Sequence, residues 1–295
     1  MRKKALDFPK SILIETCNLC QGKCKFCPYK NLRVDEKPVF LNFERYKLLI
    51  DEIANYPVQR LTLFNNNEPL IDSRIEEFIN YAAIKLPDVE ITLSTNGRLL
   101  TLEKIKSLND SRLTTLYVSI PTVDEKNYQK VMGYNINKIL DVLESIDDPK
   151  LIKMIRIAVP KTKYLNHELM VSQLGKYLVC EWGLEYKENW NIDEQFKEIS
   201  DFVIEEGPCD RPLDQMVINA SGNVIICCRD WKYQNVVGNV YDNNLYEIWH
   251  SEKMLEIQSY ISNQQYDNID CCKDCSLNNN FYLRKVKKYE ISKKN

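Results

Sequence analysis

The chain has 295 residues, with 40 Lys and Arg against 42 Asp and Glu, for a formal net charge of −2 at pH 7. That balance gives no general attraction to nucleic-acid phosphates, so a nucleic-acid partner is not expected. No run approaches the roughly 18 apolar residues of a membrane span, and the basic start Met1–Lys4 has no long apolar stretch behind it, so a cytoplasmic protein is expected.

From Ser11 to about Lys187, short β-rich runs alternate with helical patterns. The strands expected are Ile12–Ile14, Arg60–Phe64, Glu90–Ser94, Thr114–Ile120, Ile152–Val159 and Gly183–Tyr186. The helices expected are Phe43–Ile53 behind an Asn42 cap, Ser73–Lys85, Leu102–Leu108, Ile136–Ile146 and Glu168–Val179. Six β/α units of this kind imply an α/β fold with a parallel sheet curved into a partial barrel, a partial (β/α)6 barrel. The core domain is placed at 8–190, an acidic linker at 191–208, a second small domain at 209–280 and a basic tail at 281–295. In the second domain, Gln215–Asn219 and Asn223–Cys227 flank Ala220-Ser221-Gly222, a hairpin signal, and helices are expected at Leu245–His250 and Lys253–Ile261.

Eleven cysteines and two histidines narrow the chemistry. In a reducing compartment clustered cysteines are metal ligands or catalytic thiols rather than disulfides, and so few histidines make any metal site nearly all thiolate. Cys20, Cys24 and Cys27 have the spacing C-x3-C-x2-C directly after the first strand. Three thiolates on one tight loop can hold three irons of a [4Fe–4S] cube and leave the fourth iron open to an outside ligand. A structural zinc knuckle using Cys17 as the fourth thiolate is the alternative, and Cys17 is otherwise a spare buried thiol or a competing ligand.

With Phe26 before the last cysteine, this triplet resembles the signature of the radical S-adenosylmethionine (SAM) superfamily. Asn66-Asn67-Glu68-Pro69 looks like that family's Gly-Gly-Glu-Pro loop, with both glycines replaced by Asn, a residue tolerant of left-handed backbone angles. The resemblance implies that Glu68 grips the methionyl amino group of SAM. Ser94-Thr95-Asn96-Gly97 is similar to the segment bordering the SAM pocket. Ser119 and Arg156 are further candidates on the same strand-end rim, Arg156 as a charged fork for the SAM carboxylate. Cys209, Gly222-x4-Cys227 and Cys272-x2-Cys275, with Val237-Gly238-Asn239-Val240 and Leu245–Trp249, resemble the C-terminal region of the SPASM/twitch subgroup.

The resemblance thus implies two [4Fe–4S] clusters, one binding SAM and one auxiliary, the latter an electron acceptor or relay, or a structural staple. The neighbours Cys228 and Cys271 compete with Cys227 and Cys272 as ligands. With Cys180 they are also candidate catalytic thiols. Reductive SAM cleavage to a 5′-deoxyadenosyl radical and hydrogen abstraction are implied, with flavodoxin or ferredoxin as reductant. A chain that begins almost at its first strand has no further domain for a leader peptide, so oxidation of a small polar, carbohydrate-like alcohol is expected. The alternatives are epimerisation or other modification of a ribosomal peptide, and a non-catalytic iron–sulfur or zinc-binding module.

Overall fold

The computed structural model describes residues 4–33, 35–160, 162, 164–182, 209–273 and 275. The expected linker 191–208, the tail 281–295 and the strand at Gly183–Tyr186 lie outside the described residues.

Six strands run parallel in chain order: β1 (Ser11–Ile14), β2 (Arg60–Thr62), β3 (Glu90–Thr95), β4 (Thr115–Ser119), β5 (Ile155–Pro160) and β6 (Leu178–Trp182). Between them lie α1 (Tyr29–Leu32), α2 (Phe43–Ile53), α3 (Ile75–Lys85), α4 (Leu102–Asp110), α5 (Glu125–Met132), α6 (Asn137–Glu144), α7 (Pro149–Met154) and α8 (His167–Leu174). The C-terminal region adds β7 (Gln215–Ile218), β8 (Asn223–Ile225), β9 (Val236–Asn239), α9 (Leu245–Trp249) and α10 (Glu252–Ser262).

Helix α2 follows from its sequence. Asn42 Oδ1 accepts the Arg45 N–H at 2.8 Å, and Tyr46, Leu49, Ile50 and Ile53 form one buried stripe. Ile12, Ile14, Leu61, Leu63, Ile91, Leu93, Leu116, Val118, Ile155 and Ile157 fill the helix-covered side of the sheet. Fully burying each such side chain contributes about 1.5–3 kcal/mol. The opposite side is polar near the first strands, where the Thr62 and Thr92 hydroxyls bond at 2.9 Å.

Two expected elements are corrected. Ile152 belongs to α7, not to a strand: the Asp148 side chain accepts the Lys150 N–H and Pro149 opens the helix, so β5 starts only at Ile155. Helix α8 stops at Leu174, and Leu178 and Val179 go into β6 instead of the helix's last turn.

The second region is not a separate layer. Strand β7 pairs parallel with β1, Ser11 to Gln215 through Ile14 to Ile218, and β8 and β9 follow antiparallel. Among the described residues, the result is a nine-stranded sheet in the order β6-β5-β4-β3-β2-β1-β7-β8-β9. An aromatic column reinforces the junction: Phe8 stacks on Tyr56 at 3.8 Å, and Tyr56 on Tyr246 at 5.9 Å. Among the described residues, no helix is long and apolar enough to cross a membrane.

Candidate active site

The carboxyl ends of parallel strands all open on one face, so loops that follow β1, β2 and β3 meet there. The β1 loop carries Cys20, Cys24 and Cys27. The Tyr29 hydroxyl pins its start, accepting the Cys20 N–H at 3.0 Å and donating to the Asn18 carbonyl at 3.0 Å. The Lys25 N–H reaches the Val131 carbonyl of α5 at 2.8 Å. Gly22 is the tight point. Its N–H donates to Cys20 Sγ at 3.3 Å, and a Cβ there would lie 3.2 Å from Cys20 Sγ and 3.5 Å from Cys24 Sγ.

The thiols suit a cluster that titrates them. Burial pushes Cys20 up to about 11 and Cys24 well above its ordinary value, where the Cys27 and Cys20 charges add to the rise. Loading iron therefore releases protons from this loop. Phe26 packs, partly buried, against the core. Cys17 is fully buried, with the Asn67 Nδ2 at 3.7 Å and the Glu68 carbonyl at 4.0 Å from its sulfur. Among the described residues, no three His, Cys, Asp or Glu side chains converge to hold a single metal ion. A cube asks something different, one thiolate at each of separate irons.

The loop after β2 is built by its side chains. Neither Asn66 nor Asn67 takes a positive φ, so left-handed tolerance is not what the two Asn residues supply. Asn66 instead reaches across the sheet, its Nδ2 donating to the Cys228 carbonyl at 3.2 Å. Asn67 Oδ1 accepts the Asn65 N–H at 3.1 Å.

Glu68 is 1 % exposed and fully engaged. Its Oε1 accepts from the Leu70 N–H at 3.2 Å and from Thr95 Oγ1 at 2.7 Å, and its Oε2 from the Asn96 N–H at 2.7 Å. Burial nonetheless raises its carboxyl to about 7. Asn96 borders the cysteine loop, with its Nδ2 4.0 Å from Cys20 Sγ and 3.5 Å from Gln21 Oε1. Gly97 follows with φ +78°, where any Cβ would lie 2.9 Å from Ile139 Cδ1.

Strands β4 to β6 contribute less closely. Ser119, Ala158 and Cys180 are register partners and so share one face. Arg156 is not on the rim. It is the second residue of β5, its guanidinium lies 5.9 Å over the Tyr117 ring, and it lines a cavity of about 760 Å³ with Glu90, Thr115, Lys153 and Lys176. Those residues lie at or just before the amino ends of β3 to β6, at the opposite mouth from the cysteine loop.

The second cysteine set lies in and against the hydrophobic core, with Cys227 and Cys271 inside it and Cys209 and Cys272 packed on its edge. Burial pushes Cys209 up to about 12, and the neighbouring charges of Cys227 and Cys275 add to the rise. Tyr266 donates to the Cys209 carbonyl at 3.1 Å, and its own proton is held more tightly by burial first, with the Cys209 and Cys272 charges adding to it. Cys271, 2 % exposed, sits in the hydrophobic core with its sulfur 3.8 Å from that of Cys272. Cys228, partly buried, packs against the main core and also against the small cluster of Leu13, Val217 and Ile225.

Sequence reasoning missed the charged residues that serve these loops. Glu15, at the end of β1, is fully buried; its Oε1 accepts the Asn66 N–H at 2.9 Å and its Oε2 the Ala220 N–H at 3.3 Å. Arg33 is also buried, paired with Glu36 at 2.9 Å and 4.4 Å over the Tyr233 ring. Arg211 and Arg229 stand beside C-terminal thiols. The only signal for these two was a basic residue close behind a cysteine.

Residues 14–160 match the family model of the Radical SAM superfamily, and residues 209–276 match the iron–sulfur cluster-binding domain called SPASM. The chain belongs to the radical SAM superfamily. As a radical SAM enzyme with a SPASM region, it takes SAM, a SAM-binding [4Fe–4S] cluster and an auxiliary cluster. The chain is 21 % identical over 281 residues to the S-adenosyl-L-methionine-dependent 2-deoxy-scyllo-inosamine dehydrogenase of Niallia circulans, covering 95 % of this chain and 96 % of the relative. A GTP 3′,8-cyclase of Sulfurimonas denitrificans is 23 % identical over 173 residues, 58 % of this chain and only 52 % of the cyclase. Among solved structures, BtrN in complex with AdoMet and 2-DOIA superposes with TM-score 0.66 at 17 % identity, over 92 % of this chain and 94 % of that one. SuiB of Streptococcus suis bound to S-adenosylmethionine superposes with TM-score 0.68 at 15 % identity, over 87 % and 69 %. For this radical SAM chain, the structural likenesses establish the fold.

The bound cofactors supply one thing to such a site, a 5′-deoxyadenosyl radical able to take hydrogen from an unactivated carbon. The protein's own part is to hold the cysteine loop, orient the loops around Glu68 and Asn96, and keep water out.

Proposed function

We propose that this enzyme oxidises an alcohol of a small polar, aminocyclitol-like molecule by two electrons, in the cytoplasm, with flavodoxin or ferredoxin as the outside reductant. One observation carries the reading: the likeness to the inosamine dehydrogenase runs through both cysteine sets and nearly the whole of both chains, whereas the cyclase aligns over about half its length. In this reading Cys20, Cys24 and Cys27 hold the SAM-binding cluster, and Cys209, Cys227, Cys272 and Cys275 the auxiliary one. Phe26, Asn66, Asn67, Glu68, Asn96 and Ser119 shape the SAM pocket. Arg156, at the opposite mouth, takes no part in that pocket in this reading.

The electrons balance as follows. The carbinol C–H hydrogen atom ends in 5′-deoxyadenosine. The carbon radical left behind loses its hydroxyl proton and one electron to become a carbonyl. That electron passes to the auxiliary cluster.

The test is anaerobic reconstitution with iron and sulfide, reduction, and addition of SAM and 2-deoxy-scyllo-inosamine. About eight irons per chain, two cubes' worth, together with 5′-deoxyadenosine and a product two hydrogens lighter, support the reading. Deuterium uptake from solvent without oxidation would replace it with epimerisation. A fully loaded protein that cleaves no SAM would leave only a binding module.

A further inference from the structure

Two guanidinium groups stand against the C-terminal thiols, and nothing in the chemistry of SAM requires them there. Arg229 is 3 % exposed; its Nη1 lies 3.3 Å from Cys275 Sγ, and its backbone N–H donates to Cys227 Sγ at 3.4 Å. Arg211 opens a short turn, Arg211–Leu213, two residues after Cys209, and its Nη1 lies 3.6 Å from Cys228 Sγ. Guanidinium stays protonated in proteins, so both positions are fixed positive charges. The arrangement makes physical sense around an anionic group.

We propose that Arg229 and Arg211 set the reduction potential of the auxiliary cluster, raising it so that the cluster accepts an electron. The inference rests on the assignment of this cysteine set to the auxiliary cluster and deepens the two-electron reading above. Four thiolates give an oxidised [4Fe–4S] centre a net charge of −2 and its one-electron-reduced form −3. A fixed cation beside the sulfurs stabilises the more negative form more, and an N–H donor to sulfur acts in the same direction. Burial magnifies the effect, because little water or salt screens Arg229. The residues act through the cluster; neither needs to touch substrate. The electron accepted is the one the carbon radical releases as its hydroxyl proton leaves, so the step needs no other oxidant.

The test uses the full chain with Cys20, Cys24 and Cys27 all replaced by Ala, leaving the auxiliary cluster as the sole spectroscopic centre. Iron content confirms four irons, and an anaerobic redox titration followed by electron paramagnetic resonance gives the midpoint, with neither SAM nor substrate present. R229Q is expected to favour the oxidised form at least tenfold, 59 mV to the negative for one electron. R229K, which keeps the charge, should recover most of that shift, and R211Q should move the midpoint the same way by less. An unchanged midpoint in a fully loaded R229Q, or an R229K that falls as far as R229Q, overturns the proposal. If R229Q does not hold its iron, R211Q decides: Arg211 is only partly buried, and an unmoved midpoint there also overturns it. Because no substrate is present, failure of the dehydrogenase reading would appear only in turnover and would leave this measurement standing.

Discussion

Glu68 Oε2 accepts the backbone N–H of Asn96 at 2.7 Å, joining the loop after β2 to the loop after β3. The same carboxyl takes the Thr95 hydroxyl and the Leu70 N–H through its other oxygen. Glu68 is therefore first a brace. It fixes where the Asn96 side chain stands beside Cys20, and any role toward SAM starts from that fixed position.

Replacing Glu68 with Gln places an amide donor among three donors. The expected cost is about 1–3 kcal/mol of stability from the mismatch, with SAM affinity of the reconstituted enzyme falling tenfold or more in a binding titration. The pH dependence is distinctive. A carboxyl raised from 4.5 to about 7 favours the folded state below 4.5, and that contribution is lost as pH rises through 7. Wild-type stability should thus drop across this window relative to E68Q, by about 3 kcal/mol at most. Urea unfolding at several pH values checks it; a constant difference between the two proteins would reject the assignment.

Gly22 predicts a separable loss at the first cluster. A Cβ at 3.2 Å from Cys20 Sγ and 3.5 Å from Cys24 Sγ crowds two ligands at once. G22A should fold, keep its auxiliary cluster and lose much of the iron at the cysteine loop. Iron analysis falling from about eight toward four per chain, with an unchanged circular dichroism spectrum, is the expected result. Full loading would mean that the loop yields.

What the sequence made legible was local. Phe43–Ile53 was readable because Asn42 caps it and the buried stripe has helical spacing. The strand-end placement of the cysteines, Glu68 and Asn96 followed from the alternation of elements. Helix α7 was hidden because Leu151-Ile152 has strand composition, and only the Asp148 cap and Pro149 tip it to helix. Helix α5 was missed because its apolar set is short, Tyr128, Val131 and Met132. Arg156 was misplaced because the strand was expected from Ile152, whereas β5 begins at Ile155 and Arg156 is its second residue, near the amino end. Continuation of the sheet from β1 to β7, and the Glu15 to Ala220 contact across 205 residues, left no local trace at all.

Cys17 and Cys20 make opposite predictions although three residues apart. Cys17 sits against the Asn67 side chain and the Glu68 carbonyl, which occupy its sulfur. C17A should keep its full iron and cost about 1 kcal/mol in thermal unfolding, within the usual range for a single buried change. C20A should lose the first cluster. Loss of iron in C17A would return Cys17 to the ligand set.

Glu15 makes the strongest claim about coupling between the two regions. Its oxygens hold the Asn66 N–H of the β2 loop and the Ala220 N–H of the C-terminal hairpin, and burial raises its carboxyl while the Arg33 charge opposes the rise. E15A strands two backbone donors and leaves the buried Arg33 with less negative charge around it. The expected loss is about 3 kcal/mol, the scale for leaving two buried backbone donors unpaired. R33M should also destabilise. The double variant should lose less than the sum, because it removes the uncompensated cation together with its partner. A double-mutant cycle by urea unfolding gives the coupling directly. Additive losses would show that Glu15 serves only its two backbone partners, and that Arg33 is held by Glu36 and Tyr233 alone.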